Sequence, residues 1–409
     1  MKPSGPIPPG YRWDGPDLLI AGRPARAWVE EAGDTPCFVY ARALVDARIA
    51  ALRVTHSPEL HLHYAIKANP YPPLLRHILA QVDGLDVASA GEMRRALDAG
   101  AAPDAISFAG PGKRDDDLRS AIAAGITLNC ESEGEAARTL RIADALGVRP
   151  RVAVRVNPPF ELKGSGMRMG GGAKPFGVDW ERVPALVRHL IDAGADWRGF
   201  HIFTGSQSLD ADALVAAQRS AIDLAARLAE EAGAPPPLVN LGGGYGIPYA
   251  AGDMPLDVAR VGEELARALR DRPAILNDSR FCLELGRFLV GEAGVYLARI
   301  VDRKPSGGRT FLVTDGGLHH QLAASGNFGQ VIRRNFPFGI ATRDAAGDKE
   351  AATIVGCLCT PLDILADDVA VPVGTGPGDL VAIFLAGAYG LYSSPRGFLS
   401  QADAREILA

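Results

Sequence analysis

From residue 61 onward, short apolar runs alternate with amphipathic stretches. GEMRRALDAG (91–100) and ERVPALVRHLIDAG (181–194) are two of these stretches, and their spacing of apolar positions is typical of helices. Nearly continuous apolar runs are typical of strands buried on both faces of a parallel sheet. The runs are HLHYAIK (61–67), GLDVAS (84–89), AISFAG (105–110), ITLNC (126–130), RVAVRVN (151–157), RGFHIFTG (198–205), PLVNLGG (237–243) and FCLELG (281–286).

Eight strand–helix units over about 220 residues predict an α/β fold, a closed TIM-like (β/α)8 barrel. We place this barrel at residues 41–286. A doubly wound open sheet is the alternative that the pattern alone leaves open. In a barrel, the working side chains lie at the carboxyl ends of the strands, so those ends are where candidate chemistry is sought.

After residue 287 the pattern changes to strand-like runs with few helical stretches between them, which predicts an all-β domain over 287–409. The segment DLLIAGRPARAWVEEAG (17–33) also reads as strands. Residues 1–40 are therefore expected to join the β-domain, with the Pro- and Gly-rich residues 1–16 as a loose arm. The runs after 287 are FLVGEAGVYLARIVD, RTFLVTDGG, ATIVGCLC and DLVAIFLAGAYG.

Composition narrows the class of protein. Hydrophobic residues make up 47% and charged residues 22% of the 409 residues, as in a globular chain with a large core. A net charge of -5 argues against nucleic acid or an acidic membrane as partner. No long apolar span and no signal-peptide core occur. The five dispersed cysteines suit reduced thiols in a cytoplasmic enzyme, and no metal-site spacing is present.

Lys67 ends the first apolar run, in the segment YAIKAN. A lysine that closes a buried strand is costly unless it has a partner or a chemical role. Burial lowers the pKa of a lysine, which suits Schiff-base formation. The alternative is a lysine that extends to solvent at the barrel rim.

The turn LGGGYG (241–246) ends the seventh run, and Glu284 and Arg287 end the eighth. Consecutive glycines let backbone amides approach an anion closely, and barrels often bind phosphate after strands 7 and 8. A carboxylate can keep a pyridine nitrogen protonated, and an arginine suits a phosphate. A tight loop with a structural Glu–Arg pair is the alternative.

Together these segments resemble the fold-type III pyridoxal-phosphate decarboxylases, the ornithine/diaminopimelate/arginine decarboxylase group. The resemblance covers residues 35 to 400, and its motifs follow the family's order. They are YAIKANP (64–70), DVASAGE (86–92), RVNP (155–158), GSQ (205–207), GGGYG (242–246), ELGR (284–287), CTPLD (359–363) and GAY (387–389).

The resemblance implies a head-to-tail homodimer with shared active sites that use pyridoxal 5'-phosphate. Lys67 would hold the cofactor as a Schiff base, and Glu284 would pair with its pyridine nitrogen. Cys359 would reach across the dimer interface as proton donor, and Asp363 would form an ion pair with Lys174 of the other subunit. The further cofactor-binding positions implied are Asp86, Arg155, Phe203, Ser206, Gly243, Gly244, Gly286, Arg287 and Tyr389.

Several positions depart from the family's pattern. The family usually has histidine where Phe203 stands, and His201 lies two residues earlier. Where the family carries an acidic residue after the reactive cysteine to hold a substrate's distal ammonium, this chain has Thr360. The usual reader of a distal carboxylate is also missing from the corresponding region, SGNFGQVIRRNFP (325–337). A site without the buried carboxylate is expected to hold a cationic tail poorly.

FELKGSGMRMGGG (160–172), HHQLAASGNFGQ (319–330) and CTPLD resemble a narrower branch. It contains decarboxylases of glutamyl groups tethered to an acyl carrier protein, and decarboxylases of exosortase systems. This likeness implies a substrate with a neutral tail near Thr360 and Asp363. Residues 164–172 could be a lid, a docking surface or an ordinary loop. Arg333 and Arg334 could read a carboxylate or a carrier's acidic face, or be solvated.

Three other functions compete with this reading. A free amino acid, diaminopimelate included, is the nearest alternative substrate. An alanine-racemase-like enzyme shares the barrel and the lysine but needs a tyrosine base where this chain has Cys359. A non-catalytic regulator is disfavoured because Lys67, the glycine turn and Glu284 are all kept.

Overall fold

The computed structural model describes residues 1–162, 164, 166–328 and 333–409. The chain forms two units. Ile49–Ile247 and Pro255–Gly286 form the barrel unit. Met1–Arg48, Pro248–Met254 and Arg287–Ala409 form the β unit.

The predicted barrel is confirmed. Eight parallel strands pair in chain order, and the last strand pairs with the first while the fourth pairs with the fifth, so the sheet closes. Their side chains are almost all buried, as expected of strands covered on both faces. The strands are Leu60–Ala65, Gly84–Val87, Ile106–Phe108, Thr127–Cys130, Arg151–Asn157, Asp196–Ile202, Leu238–Asn240 and Arg280–Leu285.

Helices follow the strands, and local sequence explains where they begin and end. The hydroxyl of Ser89 accepts a hydrogen bond from the Glu92 amide and so caps helix Ala90–Asp98. Gly233 ends the longest helix in the left-handed conformation, which glycine adopts without strain. The helices are Arg42–Thr55, Pro72–Leu79, Ala90–Asp98, Asp115–Ala124, Glu133–Leu146, Val183–Asp192, Ala211–Ala232 and Val258–Arg270.

The β unit is mostly sheet, as predicted. Its central strand, Gly294–Ser306, pairs with three neighbours: the first half with Cys37–Tyr40 and Leu380–Ile383, and the second half with Arg309–Thr314. The short helix Arg287–Val290 precedes this strand. The other strands of the sheet are Cys37–Tyr40, Arg309–Thr314, Phe338–Ile340, Lys349–Val355, Ile364–Pro372, Leu380–Ile383 and Arg405–Leu408.

Two expectations for the N-terminal segment were wrong. Only Asp17–Ile20 and Arg23–Pro24 of 17–33 are strands, and Ala25–Ala32 is a helix. Its buried residues recur at helical spacing, and Gly33 ends it in the left-handed conformation. Residues 1–16 are also not a loose arm, because the Gly5 amide bonds to Asn335 and strand Arg12–Asp14 pairs with Asp17–Ile20.

Within the described residues, no helix combines the length and hydropathy that crossing a membrane requires.

Candidate active site

Lys67 lies just beyond the first barrel strand, in a single helical turn, Ile66–Ala68. This turn directs the side chain toward the carboxyl ends of the strands, where 42% of it remains exposed. Its Nζ donates to Glu284 Oε1 at 3.0 Å and lies 5.5 Å from the centre of the Phe203 ring. The amine is therefore held at the catalytic end of the barrel, and it is open on one side.

Glu284 lies near the end of the last barrel strand and is buried. His201 Nε2 is 2.9 Å from Glu284 Oε2 and must be the donor, because the carboxylate can only accept. Burial opposes ionisation of Glu284, but Lys67 and His201 outweigh it and hold the carboxyl pKa well below its ordinary value. Lys67, Glu284 and His201 thus form a charged cluster with one carboxylate at its centre.

His201 was not predicted as a site residue. A histidine near the end of a buried strand was the available signal, and the structure pairs it in register with Asn240. Phe203, which follows the strand and faces the lysine, was predicted as the cofactor-binding position instead. The imidazole takes up the second oxygen of Glu284, and its Nδ1 has no hydrogen-bond partner among the described residues.

Ser206 lies in the two-residue strand Gly205–Ser206, which pairs with Met167–Arg168. The amide of Gly166 donates to the Ser206 carbonyl at 2.9 Å. The glycine-rich segment therefore packs beside a predicted phosphate-binding residue in the barrel unit. Within the segments quoted for the narrower branch and the missing carboxylate reader, Lys163, Ser165 and 329–332 lie outside the described residues.

The glycine turn after the seventh strand packs directly on the end of the eighth. A Cβ on Gly243 would lie 2.0 Å from the Glu284 carbonyl oxygen, so no larger residue fits there. Gly242 and Gly244 have φ of 69° and 87°, which favours glycine. In the part of the chain described, the amides of Gly243 and Gly244 donate no hydrogen bond. Two free amides on a tight turn can bind an anion.

Gly286 is equally constrained, because a Cβ there would lie 2.9 Å from that of Ala68. Arg287 follows it in the chain and begins the β unit. Within that unit the guanidinium donates to the Tyr249 hydroxyl at 2.7 Å and lies 4.6 Å from the centre of the Tyr389 ring. Arg287 Nε is buried without a partner among the described residues. The two tyrosines thus hold a cation that retains a free donor.

Two other predicted cofactor positions have protein partners. Arg155 Nη1 donates to Glu131 Oε1 at 2.9 Å and is buried. Asp86 Oδ2 lies 3.2 Å from His63 Nδ1 inside the barrel. Arg155 is therefore fixed by a neighbour within the barrel unit, whereas both oxygens of Asp86 lack a partner with hydrogen-bond geometry among the described residues.

The segment CTPLD divides into an exposed part and a buried part. Cys359 is exposed, and Leu362 is 56% exposed. The hydroxyl of Thr360 accepts from the Leu362 amide and so stabilises the turn. This places a thiol and an apolar side chain on the surface of the β unit.

The surroundings of Asp363 differ from those expected from the sequence. The sequence predicts an ion pair between Asp363 and Lys174 of a second chain. The Asp363 side chain is buried in its own unit, where its oxygens accept from the amides of Leu318 and Leu358 at 2.7 and 2.9 Å. Burial raises the pKa of this carboxyl, although both amides oppose the rise. A carboxyl enclosed in this way is not available to a second chain.

The two arginines that could bind a carboxylate or an acidic carrier differ in their surroundings. The Arg333 side chain bends back to the Ile364 carbonyl, and burial lowers its pKa. Arg334 is exposed. Arg333 therefore stabilises the β unit itself. Of the two arginines, Arg334 is the one that remains a candidate for binding acidic groups at the surface.

Comparisons with known proteins give one consistent answer. The family model described as "Pyridoxal-dependent decarboxylase, pyridoxal binding domain" matches residues 43–291. The chain is 34% identical to the L-glutamyl-[BtrI acyl-carrier protein] decarboxylase of Niallia circulans over 92% of this chain and 89% of that protein. It is 31% identical to the diaminopimelate decarboxylase of Methanothermobacter thermautotrophicus over 96% and 90%.

Among solved structures, AQ1208 from Aquifex aeolicus superposes with a TM-score of 0.86 at 27% identity, over 98% of this chain and 93% of that one. Both relatives are named decarboxylases, in agreement with the prediction of decarboxylation rather than racemisation. The barrel, the lysine at its catalytic end and the matches over nearly the whole length lead to the same conclusion: the chain belongs to the pyridoxal-dependent decarboxylase family, enzymes that use pyridoxal phosphate to remove a carboxyl group from an amino acid.

Proposed function

We propose that this decarboxylase acts on a glutamyl group carried as a thioester by an acyl carrier protein. Support comes from the Niallia circulans relative, whose name states that reaction. The observation that carries the proposal is Thr360. Its hydroxyl is neutral, and it already accepts a hydrogen bond within its own turn. A thioester-linked tail has no ammonium that would need a carboxylate at this position.

The residues at the carboxyl ends of the strands fit the cofactor. Lys67 would hold its aldehyde carbon, Glu284 its pyridine nitrogen and the free amides of Gly243 and Gly244 its phosphate. The two free amides are the observation that supports this fit. When bound, the cofactor supplies an electron sink that stabilises the electron pair left at Cα after the carboxylate departs.

The chain's own residues prepare this chemistry. His201 and Lys67 keep Glu284 ionised, so that it can hold a proton on a pyridine nitrogen. The Phe203 ring lies beside the lysine amine and excludes water from that side. After carbon dioxide leaves, Cα requires a proton, and Lys67 or the exposed thiol of Cys359 can donate it.

We further propose that the thiol of Cys359 works in the active site of a second copy of the chain. The exposed Cys359 and Leu362 together form a surface that a partner subunit would cover. The glycine-rich segment 166–172, whose backbone bonds to Ser206 and Thr204, is where we expect the carrier's arm to enter. We place the enzyme in the cytoplasm, where its thiols stay reduced.

The substrate proposal is tested by carbon dioxide release from the purified holoenzyme. The panel contains glutamyl-loaded carrier protein and free glutamate, diaminopimelate, ornithine, arginine and lysine. We expect release from the loaded carrier alone. In the matched variant Thr360→Glu we expect that activity to fall, because an unpaired carboxylate would face a neutral tail. Rapid release from free diaminopimelate by the unaltered enzyme would contradict the proposal.

A further inference from the structure

His63 and Asp86 form a buried pair inside the barrel that the reaction described above does not use. His63 Nδ1 and Asp86 Oδ2 are 3.2 Å apart, and the residues are 7% and 5% exposed. The neighbouring strand makes room for the imidazole with Gly84, where a Cβ would lie 2.7 Å from His63 Nε2. The barrel wall is thus shaped around this histidine.

The polar atoms of this pair lack hydrogen bonds to their surroundings among the described residues. His63 Nδ1 and both oxygens of Asp86 lack a partner with hydrogen-bond geometry among the described residues. A small rotation of the imidazole would align the 3.2 Å contact. Buried polar atoms without partners destabilise a fold, so their presence in a barrel core indicates a function or an ordered water.

His63 also lines a cavity of about 480 Å³. Its wall includes His61, Leu238 and Arg280, which stand at or near the amino ends of three barrel strands. The cavity therefore opens at the end of the barrel opposite Lys67. His63 contacts this cavity on one side and Asp86 on the other.

Strand register orders these groups along the barrel. His61 pairs with Cys282, and His63 pairs with Glu284 two residues further on. Asp86 pairs with Ala65, another two residues toward the catalytic end and two residues before Lys67. At about 3.3 Å per residue, each step advances about 7 Å. Ionisable groups thus run from the cavity toward the site of reaction.

Every decarboxylation consumes one proton. The bond from Cα to the carboxylate breaks, carbon dioxide leaves without the electron pair, and Cα forms a bond to hydrogen. The group that donates this proton must be reprotonated from solvent before the next turnover. Any substrate bound beside Lys67 covers the catalytic end of the barrel, so a second route for protons from the opposite end is useful.

We propose that His63 and Asp86 conduct this proton from the cavity at the amino end of the barrel to the active site. A hydronium ion from solvent in the cavity protonates the imidazole at Nε2 and leaves as water, and the Nδ1–H passes its proton to Asp86. Asp86 delivers this proton toward the donor at the catalytic end, and reorientation of the neutral ring restores the starting tautomer. The route is a feature of this chain's decarboxylation and does not depend on which amino acid is the substrate.

The charges that face His63 favour the protonated form this route requires. Burial lowers the pKa of His63, but Asp86 and, more weakly, Glu284 and Asp83 outweigh that effect, and its pKa is raised. These carboxylates lie on the two neighbouring strands and in the loop before the second strand. His61, on the same strand, has a pKa lowered mainly by burial, partly offset by Asp83.

The test compares holoenzymes with His63→Gln, His63→Ala and, as control, His189→Gln, which changes a histidine at an exposed helix position outside the cavity. Any substrate that releases carbon dioxide, free or carrier-bound, serves in the assay. We expect the His63 variants to keep the cofactor's visible absorbance while kcat falls by about tenfold to a hundredfold. Turnover then shows a larger solvent deuterium isotope effect, and the control stays at the wild-type rate.

Imidazole added to His63→Ala provides the second readout, since the cavity and the space left by the side chain can admit it. We expect restored turnover that increases with the basicity of substituted imidazoles. A wild-type kcat in His63→Gln would overturn the proposal. So would loss of cofactor absorbance in both His63 variants without rescue, because the pair would then be structural.

Discussion

Glu284 depends for its charge on two neighbours of different kinds. Lys67 is partly exposed and is the group that we propose to react, whereas His201 is buried and has no other partner among the described residues. Together they hold the pKa of Glu284 below its ordinary value against the effect of burial. Because the pKa of Glu284 is lowered on folding, its ionised carboxylate stabilises the fold at pH values above the ordinary carboxyl pKa. This stabilisation is lost as the pH falls through the lowered pKa of Glu284.

Replacing His201 by Leu should therefore raise the pKa of Glu284 and weaken its hold on a protonated pyridine. We expect kcat to fall by about tenfold to a hundredfold, the loss of one hydrogen bond to a charged group. The acid limb of the pH–rate profile should move to higher pH. His201→Gln keeps a donor and should recover part of the rate. His189→Leu, on an exposed helix position, is the control; an unchanged acid limb in His201→Leu would contradict this account.

Lys67, Glu284 and Arg287 could be singled out from the sequence because a charge at the end of an apolar strand is conspicuous, and their roles stay predictions. His201 and His63 escaped notice because their contacts are made across strands far apart in sequence. Asp363 shows the opposite error. The motif suggested a partner on another chain, but two backbone amides of its own unit enclose it. Alternation along a strand indicates burial and does not reveal which neighbour a buried group meets.

At the level of elements, the glycine turn joins the proposed phosphate site to the strand end that carries Glu284. Gly243 packs against the carbonyl of Glu284 itself, so any shift of this turn moves the end of the eighth strand. The barrel strands and the helices between them could be predicted, because their periodicity is local. Helix Ala25–Ala32 was missed because two short strands precede it directly and its eight residues show the helical spacing of buried positions only once.

Gly243→Ala is the variant that tests this junction. The added methyl group would collide with backbone atoms, so the turn must move away from the phosphate. We expect cofactor affinity to fall by about tenfold or more, which corresponds to about 1.4 kcal/mol. Gly112→Ala is a suitable control, since nothing lies within 4 Å of a Cβ there. Equal affinity for cofactor in the two variants, measured by absorbance titration, would refute the role of the turn.

On the scale of the whole molecule, the exposed Cys359 and Leu362 support the proposed homodimer with shared sites. The family match extends over the barrel, and the relatives cover the β unit as well. The sequence predicted both units from the change of pattern near residue 287. It gave no sign that Pro248–Met254 belongs with the β unit, because that segment lies within the barrel's own sequence.

Shared sites predict complementation between inactive chains. Lys67→Ala and Cys359→Ala should each have low activity alone, with cofactor still bound in the cysteine variant. When the two are mixed and allowed to exchange subunits, half the dimers are hybrids with one intact site of two. About a quarter of wild-type activity should return. Persistent inactivity of a mixture shown to exchange would contradict the shared site.

The most direct test of the whole account is to identify the lysine that carries the cofactor. Holoenzyme is reduced with borohydride, which fixes the cofactor to that lysine, and the digested peptides are mapped by mass spectrometry. We predict that the label lies on Lys67 alone and that Lys67→Ala carries no label. A label on another lysine, such as the buried Lys113 that pairs with Glu135 at 2.6 Å, would contradict the placement of the active site.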